Sequence, residues 1–367
     1  MQLEHDGYFT SEQRGHAAAL VDELPSRHRA SVRAALLSGS ISAGLGHRHS
    51  DVDVIVVTDE PGQIHELNYV RGGRRIDLLP MGTEEFDRRV ELAAEYVATK
   101  RDRWQVMIDH VTAMKTVRLA VASPVFADDH VARRLAEISL PALSRMLMTR
   151  AAIEAATYTE DAIGCALSGD TYTALDASEL ALRKACDVLL AASRDFYISD
   201  KFLFRRLARC TEFTAFREPV WRSLHDEITL DGAPQQVRAV VSRRLLLANR
   251  LAAAAQLDGW DEPPGVLVHR SPASDGISRS PAYSMIRFAD GLALAGPNTG
   301  FDVSEIAARL WLSLDGQPRE QALDEFAGAF GLTAGQRQQA DGALTAMVDA
   351  GAAIPVGHDV LTDEGGR

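Results

Sequence analysis

Asp51 and Asp53 stand two residues apart in the run Ser50-Asp51-Val52-Asp53-Val54-Ile55-Val56-Val57, whose β-branched residues predict a strand. Strand positions two apart share a face. The two carboxylates therefore point the same way and, with no lysine beside them in sequence, repel unless a cation lies between. Hard oxygen donors of this kind suit Mg²⁺. Asp77, in a second strand-like run Arg75-Ile76-Asp77-Leu78-Leu79, could add a third carboxylate or take a proton from an attacking hydroxyl. Upstream, Gly39 lets the backbone approach a ligand closely, and Ser40 offers a hydroxyl and an N–H to phosphate oxygens. The intervening loop carries His47, Arg48 and His49; Arg48 could reach a phosphate, or the loop could simply be solvated. Plainer readings stand beside these: Asp51 as a turn cap, Asp53 as a solvated strand residue, Ser42 and Ser50 as turn formers. Asp87 is the alternative third carboxylate, in a stretch that reads as helix.

Four regions position these residues. A helical lead-in, with Ala17, Ala18, Leu20, Val21 and Leu24 on one stripe, ends at Pro25. Mixed strand and helix patterns follow to about residue 125, with a hairpin signal at Arg71-Gly72-Gly73-Arg74. From 126 to 258 the pattern is helical, as in Ala174–Ala192 and Gln236–Gln256, and helix-on-helix packing is expected. The turn-rich run Asp258 to Gly265 marks a boundary. Beyond it, Gly265–His269 and Tyr283–Phe288 read as strands, Asp290-Gly291 as a turn into Leu292–Ala295. Helices are expected around Val303–Leu314, Arg319–Phe330 and Ala334–Ala350.

The chain has 367 residues and a formal net charge of -12, from 51 acidic and 39 basic side chains. That balance disfavours nonspecific duplex binding, which needs Lys and Arg to neutralise phosphates. No apolar run approaches the roughly 20 residues of a membrane span, and the polar, acidic N-terminal residues do not read as a secretory signal. Cys165, Cys186 and Cys210 show no CxxC spacing and are expected as reduced thiols. A cytoplasmic location is the expectation, with no membrane and no DNA partner; oligomeric state is open.

The order Gly39-Ser40, short loop, Asp51-Val52-Asp53, then Asp77 on a later strand resembles the DNA-polymerase-β-type nucleotidyltransferase superfamily, and the aminoglycoside nucleotidyltransferases in particular. The resemblance covers about 90 residues. It implies a small mixed sheet backed by helices, with Mg²⁺ held by Asp51, Asp53 and Asp77, and transfer of a nucleotidyl group from a nucleoside triphosphate with release of pyrophosphate. Gly39, Ser40 and Arg48 would face the triphosphate; ATP is favoured as that triphosphate, although no motif reports the base.

In the antibiotic-modifying members of that group a helical domain supplies a lysine to the triphosphate, and Ala192 to Leu203 resembles the corresponding segment. Ser199 would cap a helix and place Lys201 in its first turn, where a cation opposes the helix dipole unless an anion is near. A solvated surface lysine is the alternative. Glu154 and Glu179 could orient an acceptor hydroxyl or be ordinary surface carboxylates.

The cadence Gly291-Leu292-Ala293-Leu294-Ala295-Gly296-Pro297-Asn298, then Ile306 to Gln317, then Ala340 to Ala352, resembles PqqD-like domains. That resemblance implies three strands and three helices in a winged-helix arrangement that binds the leader of a ribosomal precursor peptide. An extended leader would pair with an exposed edge, expected at Leu292–Ala295, or at Tyr283–Phe288 in another register. Trp311 and Leu310 read as core. The expected fold class is thus α+β: a nucleotidyltransferase mixed sheet over 1–125, a helical bundle domain over 126–258 and a winged-helix PqqD-like peptide recognition domain over 264–356. The expected function is Mg²⁺-dependent nucleotidyl transfer to a ribosomal precursor peptide or a peptide intermediate in natural-product biosynthesis. The alternatives are a small-molecule adenylyltransferase of the aminoglycoside type and an inactive peptide-binding adaptor.

Overall fold

A computed structural model describes residues 15, 18–19, 31–47, 49–63, 67–71, 73–101, 108–225, 234–266 and 275–361. Most of the expected helical lead-in lies outside them, as do Arg48 and residues 267–269 of the expected Gly265–His269 strand; 265 and 266 are not in a strand. The chain divides into two compact units. The first comprises Met1–Tyr96, Ile108–Met146 and Phe196–Arg206, and the second Val97–Met107, Leu147–Asp195 and Leu207–Arg367.

The first unit is built on a five-stranded mixed sheet in the order β3-β4-β2-β1-β5. Its strands are β1 (Val32–Ser38), β2 (Val52–Thr58), β3 (Leu67–Arg71), β4 (Arg74–Gly82) and β5 (Ser123–Ala127). β1 and β2 are antiparallel, β2 and β4 parallel, and β3 and β4 antiparallel, with Arg71 the partner of Arg74; Gly72 of the expected hairpin turn lies outside the described residues. The strands alternate cleanly, as strands with both faces covered by apolar contacts do. Leu37, Val52, Val54, Val56, Ile76 and Leu78 form a core on one face. Leu36, Ile55, Val57 and Met81 form a second core on the other, against Phe86, Val90 and Leu119 of helices α2 (Thr83–Glu95) and α3 (His110–Ala120). A short helical turn, α1 (Gly39–Ser42), follows β1 directly.

The second unit contains helices α6 (Thr171–Ala192), α8 (Thr214–His225) and α9 (Pro234–Asp258), together with most of α5 (Leu140–Leu167). Its C-terminal part holds an antiparallel meander β7 (Ser284–Phe288), β8 (Gly291–Gly296) and β9 (Thr299–Val303). Helices α10 (Glu305–Ser313), α11 (Arg319–Phe330) and α12 (Ala334–Asp349) follow, with a small sheet in the order β10 (Asp315–Gln317), β6 (Ile277–Arg279), β11 (Ala353–Pro355). Gly331, in the left-handed region, closes α11, and a Thr333–Gln336 capping box opens α12.

One hydrophobic cluster runs across the expected boundary at 258–264. Leu245, Ala253 and Leu257 of α9 share it with Met285, Leu292, Leu294 and the fully buried Trp311. Trp311 and Leu310 are core residues, and the Trp311 indole N–H donates to Ala352 O at 2.8 Å.

The edge expected at Leu292–Ala295 is corrected: these residues lie in β8, the central strand, paired on both sides. The outer side of β7 is occupied as well. The buried side-chain amide of Gln256 donates to Met285 O at 2.8 Å and accepts from Arg287 N at 2.7 Å, while Thr149 donates to Arg287 O. Strand β9 is left as the unpaired edge of this sheet among the described residues.

Candidate active site

Register assembles the site. Ser38, Asp53 and Asp77 are Cα partners across β1, β2 and β4, so their side chains stand on one face in a row. That face is the one covered by α2 and α3. Asp51 immediately precedes β2 and is the more open carboxylate at 39% side-chain exposure, against 16% for Asp53 and 16% for Asp77.

Gly39, at φ +70°, turns the chain away from β1 directly above Asp53; a Cβ there would lie 1.9 Å from Asp53 Oδ2. Glycine is needed for conformation and for space alike. Ser40 is buried in the same turn, and its carbonyl accepts from Leu45 N at 2.7 Å. The Ser38 hydroxyl is buried with no hydrogen-bond partner, which sequence reading did not single out. Ser42 donates to Val121 O at 2.6 Å and Ser50 accepts from His47 N at 2.9 Å, so both serve the loop's own geometry.

The carboxylates, read from sequence as having no lysine beside them, have two arginines as partners. Arg75, two residues before Asp77 on β4, donates to Asp51 at 2.7 Å and to Asp77 at 2.8 Å, lying between them. Arg118, in the last turn of α3, places Nη1 3.6 Å from Asp53 Oδ1. Burial raises the pKa of Asp53 above the usual carboxylate range; Arg118 opposes this, the charges of Asp51 and Asp77 add to it, and Lys201 opposes again. Arg75 is readable in hindsight from the strand period, since i and i+2 share a face. Arg118 comes from a helix 65 residues away in sequence from Asp53, and no local pattern reports it.

Residues 196–206 belong to this same unit. Phe202 is buried with Ala43 and Leu45 of the loop, and Tyr197 and Val121 pack against that cluster. Arg205 donates to Leu45 O at 2.6 Å and Gly46 O at 3.1 Å. These contacts hold the segment against the loop that follows Gly39-Ser40 and bring Lys201 near enough to Asp53 for its charge to act there. The Lys201 ammonium also lies 4.8 Å from the Phe202 ring centroid. Ser199 makes no capping bond, and Lys201 sits in a 3₁₀ turn, Asp200–Phe202, ahead of helix α7 (Leu203–Arg209). Tyr197, which sequence reading missed, has its hydroxyl pKa raised by burial and by the nearby charge of Asp53.

The remaining candidates lie elsewhere. Asp87 pairs with Arg134 at 3.0 Å and His130 at 3.1 Å, both on α4 (Asp129–Leu135) of the first unit. In the second unit, Glu154 pairs with Arg150 and Lys184, and Glu179 pairs with Arg183 at 2.8 Å.

Carboxylates aligned at a sheet end, a glycine-cleared approach and a cationic rim of Arg75, Arg118 and Lys201 suit a polyphosphate and a hard divalent cation. Asp51, Asp53 and Asp77 would hold such a cation, and Arg75 now supplies the positive charge shared by Asp51 and Asp77. As the side chains are placed, no group of three or more His, Cys, Asp or Glu among the described residues is closed into a metal cluster.

Residues 18–99 match the family of nucleotidyltransferase domains. The first unit carries a nucleotidyltransferase domain. It contains Gly39, Ser40, Asp51, Asp53 and Asp77 within the matched stretch, and the protein is accordingly a transferase enzyme. Among solved structures, the chain is similar to a nucleotidyltransferase-like protein from Exiguobacterium sibiricum 255-15, at 12% identity and TM-score 0.37, over 67% of this chain and 77% of that one. No curated protein matches the chain. No helix among the described residues is long and apolar enough to cross a membrane.

Proposed function

We propose that the protein moves a nucleoside monophosphate from a nucleoside triphosphate, with ATP favoured, to a ribosomal precursor peptide or a peptide intermediate in natural-product biosynthesis. The reading is carried by the Ser38–Asp53–Asp77 row beneath Gly39, with Lys201 acting electrostatically on Asp53. Asp51, Asp53 and Asp77 would hold Mg²⁺, which when bound supplies neutralisation of phosphate charge. Gly39, Ser40, Lys201 and, from the same loop, Arg48 would hold the triphosphate, and Arg118 would add to the charge facing it. The acceptor heteroatom attacks the α-phosphorus, the bond to pyrophosphate breaks, and the acceptor proton passes to Asp77. Arg75, released from Asp51 and Asp77, then matches the developing charge on pyrophosphate.

The peptide acceptor is supported by strand β9, whose outer edge is unpaired among the described residues. Over one face of the same sheet lies a cleft of about 520 Å³, lined by Ile153, Ala156 and Thr157 of α5, by Ile286 and Phe288 of β7 and, at the start of β9, by Thr299 and Gly300. An extended segment could add main-chain hydrogen bonds to such an edge while side chains enter the cleft. Incubation with each triphosphate, Mg²⁺ and candidate ribosomal precursor peptides should give a peptide heavier by one nucleotide. Thr157→Trp, which fills the cleft from an exposed helical position, should weaken use of the full-length peptide with triphosphate binding retained. Pyrophosphate release with aminoglycosides and no peptide modification would overturn the peptide acceptor. No nucleotide transfer to either, with intact triphosphate binding, would overturn the acceptor classes together.

A further inference from the structure

Ser38 and Asp53 are neighbours with complementary needs. They are Cα partners across β1 and β2, so their side chains stand side by side on one face of the sheet. The Ser38 hydroxyl is buried and, among the described residues, has no hydrogen-bond partner. Ser38 is also the N-cap of α1, where a serine hydroxyl ordinarily accepts from an N–H of the turn it opens. It makes no such bond. A buried hydroxyl without a partner is costly, and such groups are few in folded proteins. The common structural uses of a serine at this place are therefore not made.

Asp53 has the matching deficit. Arg75 donates to Asp51 and to Asp77. Among the described residues nothing donates a hydrogen bond to Asp53, because Arg118 Nη1 stands 3.6 Å from its Oδ1. The other oxygen, Oδ2, lies against Gly39, the residue that follows Ser38. A serine hydroxyl moves among three staggered positions by rotation about one bond, so a short adjustment suffices to join the two groups. The hydroxyl is closed to solvent, whereas the Asp53 side chain is 16% exposed. A ligand entering the site meets the carboxylate and not the hydroxyl.

We propose that Ser38 is a positioning residue for nucleotidyl transfer: its hydroxyl donates to Asp53 Oδ2 when that carboxylate holds the divalent cation. The bond fixes the carboxylate orientation in which the cation is held. This rests on Asp53 as a cation ligand, and it adds a residue outside the Gly39-Ser40 turn and the three carboxylates. Partners that orient a metal ligand are worth about 10–100-fold in metal affinity. Without the cation the hydroxyl satisfies no partner and adds nothing to stability.

The test titrates the full chain with Mn²⁺, read by the paramagnetic resonance of free Mn²⁺, and follows thermal unfolding without metal. The site in question is the one lost in Asp53→Asn. Ser38→Ala should weaken Mn²⁺ there by about tenfold or more. The same variant, free of metal, should melt no lower than the parent, because an unsatisfied hydroxyl has been removed. Ser38→Thr keeps the hydroxyl and should bind Mn²⁺ more tightly than the alanine variant. A merely structural serine predicts the reverse pattern, a lower melting temperature with unchanged Mn²⁺ affinity. Unchanged affinity in Ser38→Ala, or a folded Ser38→Thr no better than alanine, would overturn the role of Ser38 alone. A parent protein with no Mn²⁺ site sensitive to Asp53→Asn would overturn the cation assignment beneath it.

Discussion

Gly39 and Asp53 are complementary at the level of single atoms. The backbone of Gly39 passes so close that the carboxylate occupies the volume a Cβ would take, 1.9 Å from its Oδ2. Gly39→Ala must therefore move Asp53 and also adopt φ near +70°, at a cost of about 1–2 kcal/mol for an L side chain. Turnover should fall by on the order of 10² or more, because the displaced group is a proposed metal ligand. Steady-state pyrophosphate release and thermal unfolding measured together check this. A variant with normal turnover would mean Asp53 can shift without consequence.

Asp53→Asn should lower turnover by a similar factor, on the order of 10², while affecting stability in the opposite direction. Burial and the neighbouring carboxylates raise the Asp53 pKa in the folded state above its unfolded value. For an acid shifted that way, the stabilisation belongs to the neutral form. It is fully present below the unfolded pKa and is lost as pH rises through the folded pKa. The asparagine variant should therefore be the more stable protein at neutral pH, with the difference in melting temperature fading as pH falls through the acid range. An unchanged difference at all pH values counts against the buried-charge account.

Arg75 provides the positive charge between Asp51 and Asp77. Arg75→Met should lower the melting temperature of the metal-free protein, since two carboxylates lose their shared partner. Added Mg²⁺ should then raise it more in the variant than in the parent. Identical Mg²⁺ responses would separate the guanidinium from the metal position. Maximal turnover should drop as well, through loss of its charge at the departing pyrophosphate.

Gln256 is fully buried, and its amide satisfies Met285 O and Arg287 N on the outer side of β7. Gln256→Leu strands both groups, and each buried polar group left unsatisfied costs about 1–3 kcal/mol. Denaturant unfolding should register a loss on that scale. Ending the chain at residue 262 should be far more damaging: Leu245, Ala253 and Leu257 would lose Met285, Leu292 and Trp311 from their shared core. Loss of near-ultraviolet dichroism in the truncated chain is the expected signature.

The spacing of Asp51, Asp53 and Asp77, the glycine-serine turn before them and the β-branched runs around them were legible because strand period and backbone freedom are local properties. The same holds for the helices from 171 to 192, 234 to 258 and 319 to 330, whose apolar stripes repeat over several turns. What tertiary structure decided was which charges meet. Arg118 reaches Asp53 from α3, and Phe202 and Arg205 dock the 196–206 segment on the loop after Gly39. Those contacts depend on packing between segments far apart in sequence, which no periodicity encodes. The C-terminal sheet makes the same point: Leu292–Ala295 has the alternation of any half-buried strand. The return of β9 made it central, and Gln256 from α9 with Thr149 from α5 closed the far side of β7. A strand's sequence reports which face is apolar, whereas its neighbours are chosen by the rest of the chain.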